Sequence, residues 1–278
     1  MAAKEPGGDM SVGEHINELR SRLIKSAIVL FVFAVVAFIL KDDLINIIFG
    51  PTNADFITNR LFCQLGARFG IDELCINQNV VTLVNTKMAG QFNMHIKMAF
   101  IAAIVFTVPF LLYQLWMFIK PALSNEVQKQ CRLLVFQVSI WFFIGMAFGY
   151  YIVAPLAVNF LTNYQLSDQI TNLIEVTSYL SSVMGVSLAC AAVFQLPLLI
   201  KLLASIGILT SSMMRKYRKV SFAAIIILAA IITPPDVFSQ VLVACPLYVL
   251  FEYGIIVAQK IENKKAAKKA LEEMKQNS

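Results

Sequence analysis

Apolar residues in this chain gather into long runs at 26–40, 98–119, 133–155, 183–203 and 220–232, with a return run beginning at Val237. Such runs predict membrane-spanning helices, since a helix needs about 20 mostly apolar residues to cross a ~30 Å hydrocarbon core. The expectation is an all-α, six-helix integral membrane bundle. The last two runs differ from the others. The run 220–232 is thirteen residues long, roughly 20 Å of helix at ~1.5 Å per residue, and it stops at Thr233-Pro234-Pro235-Asp236. The return run contains Pro246 and soon reaches Glu252. Adjacent prolines end a helix, because neither has an N–H and each restricts the residue before it. A short fifth–sixth helix hairpin is therefore expected. In a full-thickness bilayer it would require local thinning, or helices that sink from one face.

Polar segments flank these runs. Residues 1–10, with Pro6-Gly7-Gly8, read as a disordered N-terminus, 11–260 as one transmembrane domain, and the Lys/Glu-rich 261–278 as a charged tail, a solvated helix that frays. Ser11-Val12-Gly13-Glu14 has the form of a capping box. It would open an amphipathic helix whose Ile16, Leu19, Leu23 and Ile24 follow helical spacing, lying along the inner membrane surface. The first apolar run comes after about 25 polar or amphipathic residues and ends in no cleavage pattern, so it does not read as a signal peptide.

Composition agrees: 58% of residues are hydrophobic and only 14% charged, with a mean hydropathy of +0.71, against ~25% charged in soluble domains. The net charge of +6 would suggest nucleic acid in a soluble protein. Here its placement accounts for it, and nucleic acid is not an expected partner. Most of the 23 basic residues fall in the N-terminal segment, the second and fourth connections and the tail. By the positive-inside rule both termini are cytoplasmic and the long first loop, about 41–97, is extracytoplasmic.

Two of the five cysteines, Cys63 and Cys75, lie in that loop twelve residues apart. An oxidising compartment favours a disulfide between them, with two free thiols as the alternative. No His, Asp or further Cys stands nearby at ligand spacing, so no metal site is expected. Cys131, Cys190 and Cys245 lie in apolar surroundings and read as packing residues.

The chain offers little for catalysis. It has no phosphate loop or zinc signature and only two histidines, His15 and His95. Ionisable groups are scarce at mid-membrane depth, where Gln137 and Gln195 are the polar residues and Lys201 can snorkel to the inner end. No enzyme and no cofactor are expected. Polar chemistry is concentrated at the cytoplasmic rim, in Glu14, Glu18 and Arg22 on one helix and in Leu123-Ser124-Asn125-Glu126 after Pro121. Carboxylates gathered there would attract a cationic peptide. Glu18 could equally pair with Arg22 on a solvated face.

Several motifs carry a family resemblance. His15-Ile16-Asn17-Glu18-Leu19-Arg20-Ser21-Arg22-Leu23 resembles the opening helix of the TatC family, the multi-spanning receptor subunit of the twin-arginine protein translocase. The same is true of Val108-Pro109-Phe110-Leu111-Leu112-Tyr113-Gln114-Leu115-Trp116 through Pro121-Ala122-Leu123, of Ile144-Gly145-Met146-Ala147-Phe148-Gly149-Tyr150, of Ser178-Tyr179-Leu180, and of Thr233-Pro234-Pro235-Asp236-Val237-Phe238-Ser239-Gln240. The resemblance is collinear from about residue 15 to residue 258. It implies a multi-pass protein of the bacterial inner membrane, N-in/C-in, that receives twin-arginine signal peptides of folded precursors. Single-span TatA/TatB-type subunits, further copies of itself and membrane lipid would be its partners, and the proton-motive force would drive transport.

The resemblance also assigns residues. The signal-binding carboxylate maps to Glu18, with Arg20 beside it and Leu123 and Glu126 in the next loop. The family usually has this second Glu four residues after the Leu, where the chain has Val127, so its acid comes one position early. Pro51 corresponds to the proline ending the first span and Asp236 to the acid of the short hairpin, and with Gln195 they would contact a partner's helix. Gln195 stands where the family often has Glu. It keeps a hydrogen-bonding group without the charge, and packing against a neighbouring helix is its alternative role. Short last helices would leave Gln195 facing outward on a concave side. From a different functional class, a secondary transporter or channel remains the alternative, though the ionisable lining it would need is lacking.

Overall fold

The computed structural model describes residues 12–70, 75–76, 82–122, 128, 133–167, 169 and 172–276. α1 (Val12–Ile39), α2 (Lys41–Phe49) and α3 (Ile57–Phe69) precede β1 (Leu83–Val84) and α4 (Gly90–Ile119). α5 (Leu134–Phe148) continues through a π-helical turn, Gly149–Val153, into α6 (Ala154–Asn163). β2 (Ile174–Glu175) leads to α7 (Val176–Val193), α8 (Leu196–Ile206), α9 (Ser211–Lys216), α10 (Arg218–Ile232) and α11 (Val237–Gln276). Among the described residues five stretches are long and apolar enough to cross a membrane: His15–Ile39, Gly90–Ile119, Leu134–Asn163, Val176–Ile206 and Val237–Lys268. α10 has 15 residues, about 22 Å of helix, and falls short. The fold is an all-α membrane bundle.

Two expectations change. The return arm of the hairpin is not short: α11 is one helix of 40 residues running through Pro246. Inside a membrane bundle a proline removes one N–H and the backbone adjusts around it, so the helix survives. The tail, read from the sequence as a solvated helix, continues α11 as far as Gln276. At the other end α1 runs without a break from the amphipathic segment into the span, since neither Gly nor Pro interrupts residues 16–39. It is therefore no separate surface helix. The capping box involves Ser11 and the Glu14 side chain, which lie outside the described residues.

α1 and α4 pair antiparallel, as three ring contacts along them show: His15 on Phe118 at 4.2 Å, Phe33 near Phe106 at 6.1 Å and Phe38 on His95 at 3.9 Å. Trp116 at the end of α4 packs on Leu134, Val135 and Leu202. Lys265 of α11 donates to the carbonyls of Ala204 (3.1 Å) and Ser205 (2.7 Å). These contacts bring the beginning of α1 and the later part of α11 to the same end of the bundle, here the basic end. The core forms three layers from there. Ile200, Ala204, Met214, Ile255 and Ala258 pack at the basic end, Val153, Phe194, Ile225, Ala229, Val243 and Leu247 in the middle, and Ile48, Met98, Tyr179, Leu180 and Val183 at the opposite, loop end.

Close helix approach in the middle layer depends on two glycines of α5 and its π turn. A Cβ on Gly145 would lie 2.8 Å from Ala191 Cα, and one on Gly149 2.7 Å from Ser187 Cα, both on α7. Small residues four apart let membrane helices touch backbone to backbone.

The loop end is capped by α2, α3 and the strands. β1 pairs in parallel with β2, Leu83 opposite Ile174 and Val84 opposite Glu175, and Lys87 pairs with Glu175 at 3.3 Å. The last carbonyls of α2 lack helical donors. Tyrosine hydroxyls reach two of them: Tyr179 Oη donates to Ile48 O at 2.8 Å, and Tyr150 Oη joins the Gly50 N–H as a second donor to Ile47 O. Pro155 has no N–H for the Tyr151 carbonyl one turn back. The buried Thr58 hydroxyl of α3 donates to that oxygen instead, anchoring the loop in the span. Cys63 and Cys75 are joined by a disulfide. Alkylation of the intact protein without reductant is expected to label neither cysteine, and reduction should expose both together. Labelling of either thiol before reduction would contradict the bridge.

Candidate functional site

The polar centre at the basic end is built on the α1–α4 pair. Glu18 and Arg22 stand one turn apart on α1, and both are half-buried against α4. Arg22 Nε and Nη2 donate to Glu18 Oε1, the former at 3.1 Å. Arg22 Nη1 donates to Gln114 Oε1 at 3.1 Å and Nη2 to Met117 O at 3.3 Å. The guanidinium is thus held on three sides. Glu18 Oε2 is buried without a hydrogen-bond partner among the described residues. A buried carboxylate oxygen left unpaired is unfavourable, and it can accept a bond from an incoming donor.

Of the other predicted rim residues, Arg20 is exposed on α1. Leu123 and Glu126 lie outside the described residues. Sequence reasoning missed Gln114 and Met117. Gln114 is buried, and the signal for it was the one amide within the apolar run 98–119.

Gln195 sits between α7 and α8, where the helix breaks before Pro197. Its backbone N–H turns to Ala192 O at 3.1 Å, leaving Ala191 O without that donor. The side-chain Nε2 takes its place at 3.2 Å. The side chain is half-buried and folded onto its own helix, not held outward as the short-hairpin argument expected. Its Oε1 is enclosed and, among the described residues, has no partner.

Asp236 caps α11. Its Oδ2 accepts from Ser239 N at 2.8 Å and Ser239 Oγ at 2.7 Å, and its Oδ1 from Phe238 N at 3.3 Å. Burial opposes ionisation, but these bonds outweigh it and hold the carboxyl below its ordinary range. Pro51 is fully buried in the turn Gly50–Thr52, where Asn59 Nδ2 donates to its carbonyl at 3.2 Å and to Asn53 O at 2.8 Å. The ring therefore offers no surface to a partner helix. Its position is explained by ending α2.

Comparison with known proteins gives these sites a frame. The family model for the Sec-independent protein translocase protein (TatC) matches residues 14–246. The chain belongs to the TatC family. A TatC from Blattabacterium sp. subsp. Periplaneta americana is 33% identical over 265 residues, covering 94% of this chain and 100% of that protein. TatC of Escherichia coli is 32% identical over 245 residues, 88% of this chain and 86% of that one. A crystal structure of the twin-arginine translocase receptor TatC superposes with a TM-score of 0.65 at 26% identity, over 89% of this chain and 99% of that chain. The TatC match sets aside the small-solute transporter. It makes the chain a multi-pass inner-membrane subunit of the Sec-independent, twin-arginine protein translocase. Both the Glu18 pocket and the Thr233-Pro234-Pro235-Asp236 turn fall inside the TatC match.

Proposed function

We propose that this protein receives the twin-arginine signal peptides of folded precursors at the rim formed by α1 and the end of α4, in a non-enzymatic step on the cytoplasmic side. The observation that carries the reading is the unpartnered Glu18 Oε2 beside an Arg22 already claimed by Gln114 and Met117. Arg22 holds the carboxylate in place through one oxygen and leaves the other to accept a charge-assisted hydrogen bond from an incoming guanidinium. Glu126, one position from the family's usual place, would supply the second carboxylate, with Leu123 and Arg20 at the same rim. Both termini would be cytoplasmic, consistent with their common end of the bundle. Photo-cross-linking of a twin-arginine signal peptide to positions around Glu18 in membranes tests the reading. Strong cross-links that a twin-lysine peptide fails to give are expected, whereas equal cross-linking by both peptides would refute it.

Single-span TatA/TatB-type subunits and further copies of the chain complete the proposed translocase, with the proton-motive force as driver. Gln195 Oε1 has no partner among the described residues and, on a side-chain rotation that exposes it, would accept a hydrogen bond from a partner's span. Gln195→Leu should loosen the partner by ~0.6–2 kcal/mol, the range of one intramembrane hydrogen bond, and leave signal binding unchanged. Co-purification of partners at wild-type yield would assign Gln195 to helix packing alone.

A further inference from the structure

A groove of about 230 Å³ at the basic end lies between α8 and α11, away from the α1–α4 rim. Lys201 of α8 faces Lys260 and Lys264 of α11 across it. The wall between these lysines is apolar, formed by Ile256, Val257 and Ile261. Among the described residues no carboxylate pairs with any of the three ammonium groups. The nearest acids along α11 are engaged elsewhere: Glu252 accepts from Arg218 at 2.7 Å, and Glu262 accepts from Ser211 N at 2.7 Å and from the Ser211 hydroxyl. The positive charge of the groove is therefore uncompensated.

The groove is also held in shape. Lys201 Nζ donates to Gln137 Oε1 of α5 at 2.6 Å, which fixes one ammonium and leaves it two further donors. Glu262 on Ser211, and Lys265 on Ala204 and Ser205, lock the register of α11 against α8 and α9, so Lys260 and Lys264 stay on the groove face. Lys201 lies five residues inside the end of one apolar span and Lys264 four residues inside the end of another, which is headgroup depth. Exposed Tyr253 lies at the more apolar end of the same groove.

We propose that this groove is a binding site for an anionic phospholipid of the surrounding bilayer, its phosphate held by Lys201, Lys260 and Lys264 and its acyl chains lying along Ile256 and Val257. The pairing of lysines with an apolar wall selects a lipid over a free anion. A basic pocket between membrane helices is a recurrent setting for anionic headgroups.

Native mass spectrometry of the full-length protein in detergent tests this, with phosphatidylglycerol and phosphatidylcholine of equal chain length as probes. Wild type should retain phosphatidylglycerol preferentially, and excess inorganic phosphate should not displace it. Lys260→Gln/Lys264→Gln should lose ~30-fold in phosphatidylglycerol affinity, at about fivefold for each interfacial lysine, with its melting temperature in the same detergent showing that it is folded. Lys216→Gln/Lys219→Gln removes the same charge outside the groove and should keep the preference. Three results would overturn the assignment: equal retention of the two lipids, displacement by phosphate alone, or an unchanged preference in Lys260→Gln/Lys264→Gln. If that variant kept its lipid but lost a co-purifying subunit, the groove would belong to a protein partner and the lipid assignment would fail.

Discussion

Glu18→Gln is expected to insert and fold normally yet bind a twin-arginine peptide at least tenfold more weakly. The substitution keeps the shape of the side chain and its acceptor toward Arg22, so the Arg22 bonds to Gln114 and Met117 remain. What disappears is one charge-assisted contact in a half-buried site, worth ~1.5–3 kcal/mol. Peptide titration against the purified protein measures it. Glu18→Gln combined with Glu126→Gln should weaken binding further, and an unchanged affinity in that double variant would remove the carboxylates from the site.

Gly149→Leu should strongly destabilise the bundle. Even the first added carbon would lie 2.7 Å from the Ser187 backbone, so helices must separate, and overpacking of this kind costs ~3 kcal/mol or more where backbone cannot yield. Gly185→Leu is the matched control on the facing helix, because a Cβ there meets nothing within 4 Å. The first variant should fail to accumulate or should melt well below wild type in detergent, and the second should match wild type. Equal behaviour of the two would mean that α5 and α7 do not need this close approach.

Features governed by periodicity and covalent chemistry were legible in the sequence. Apolar runs located the spans, the paired prolines fixed the sharp turn after α10, and the placement of Cys63 and Cys75 in one loop of an expected oxidising compartment pointed to their bridge. Features governed by backbone hydrogen-bond exchange were not. Pro246 reads as a helix breaker in water, but within the bundle α11 passes through it. Gln195 reads as an outward polar group, while the carbonyl freed by the break before Pro197 draws it back to its own helix. Thr58 gives no signal at all, since its acceptor is orphaned by a proline 97 positions later in the chain. At the rim, Glu18 and Arg22 were legible as a pair, whereas Gln114 depended on α4 lying antiparallel to α1.

The 15 residues of α10 have a bearing on how the chain enters the membrane during synthesis. A segment about 22 Å long gains too little from lipid to be released sideways on its own account. Its stabilising contacts come from what is made afterwards: Ile225, Ala229 and Ile232 pack on Val243 and Leu247, and Arg218 meets Glu252. The expected consequence is that α10 commits to the bilayer together with α11, as one unit. A chain truncated before Val237 should therefore leave α10 poorly inserted, as protease protection of the truncated product would show.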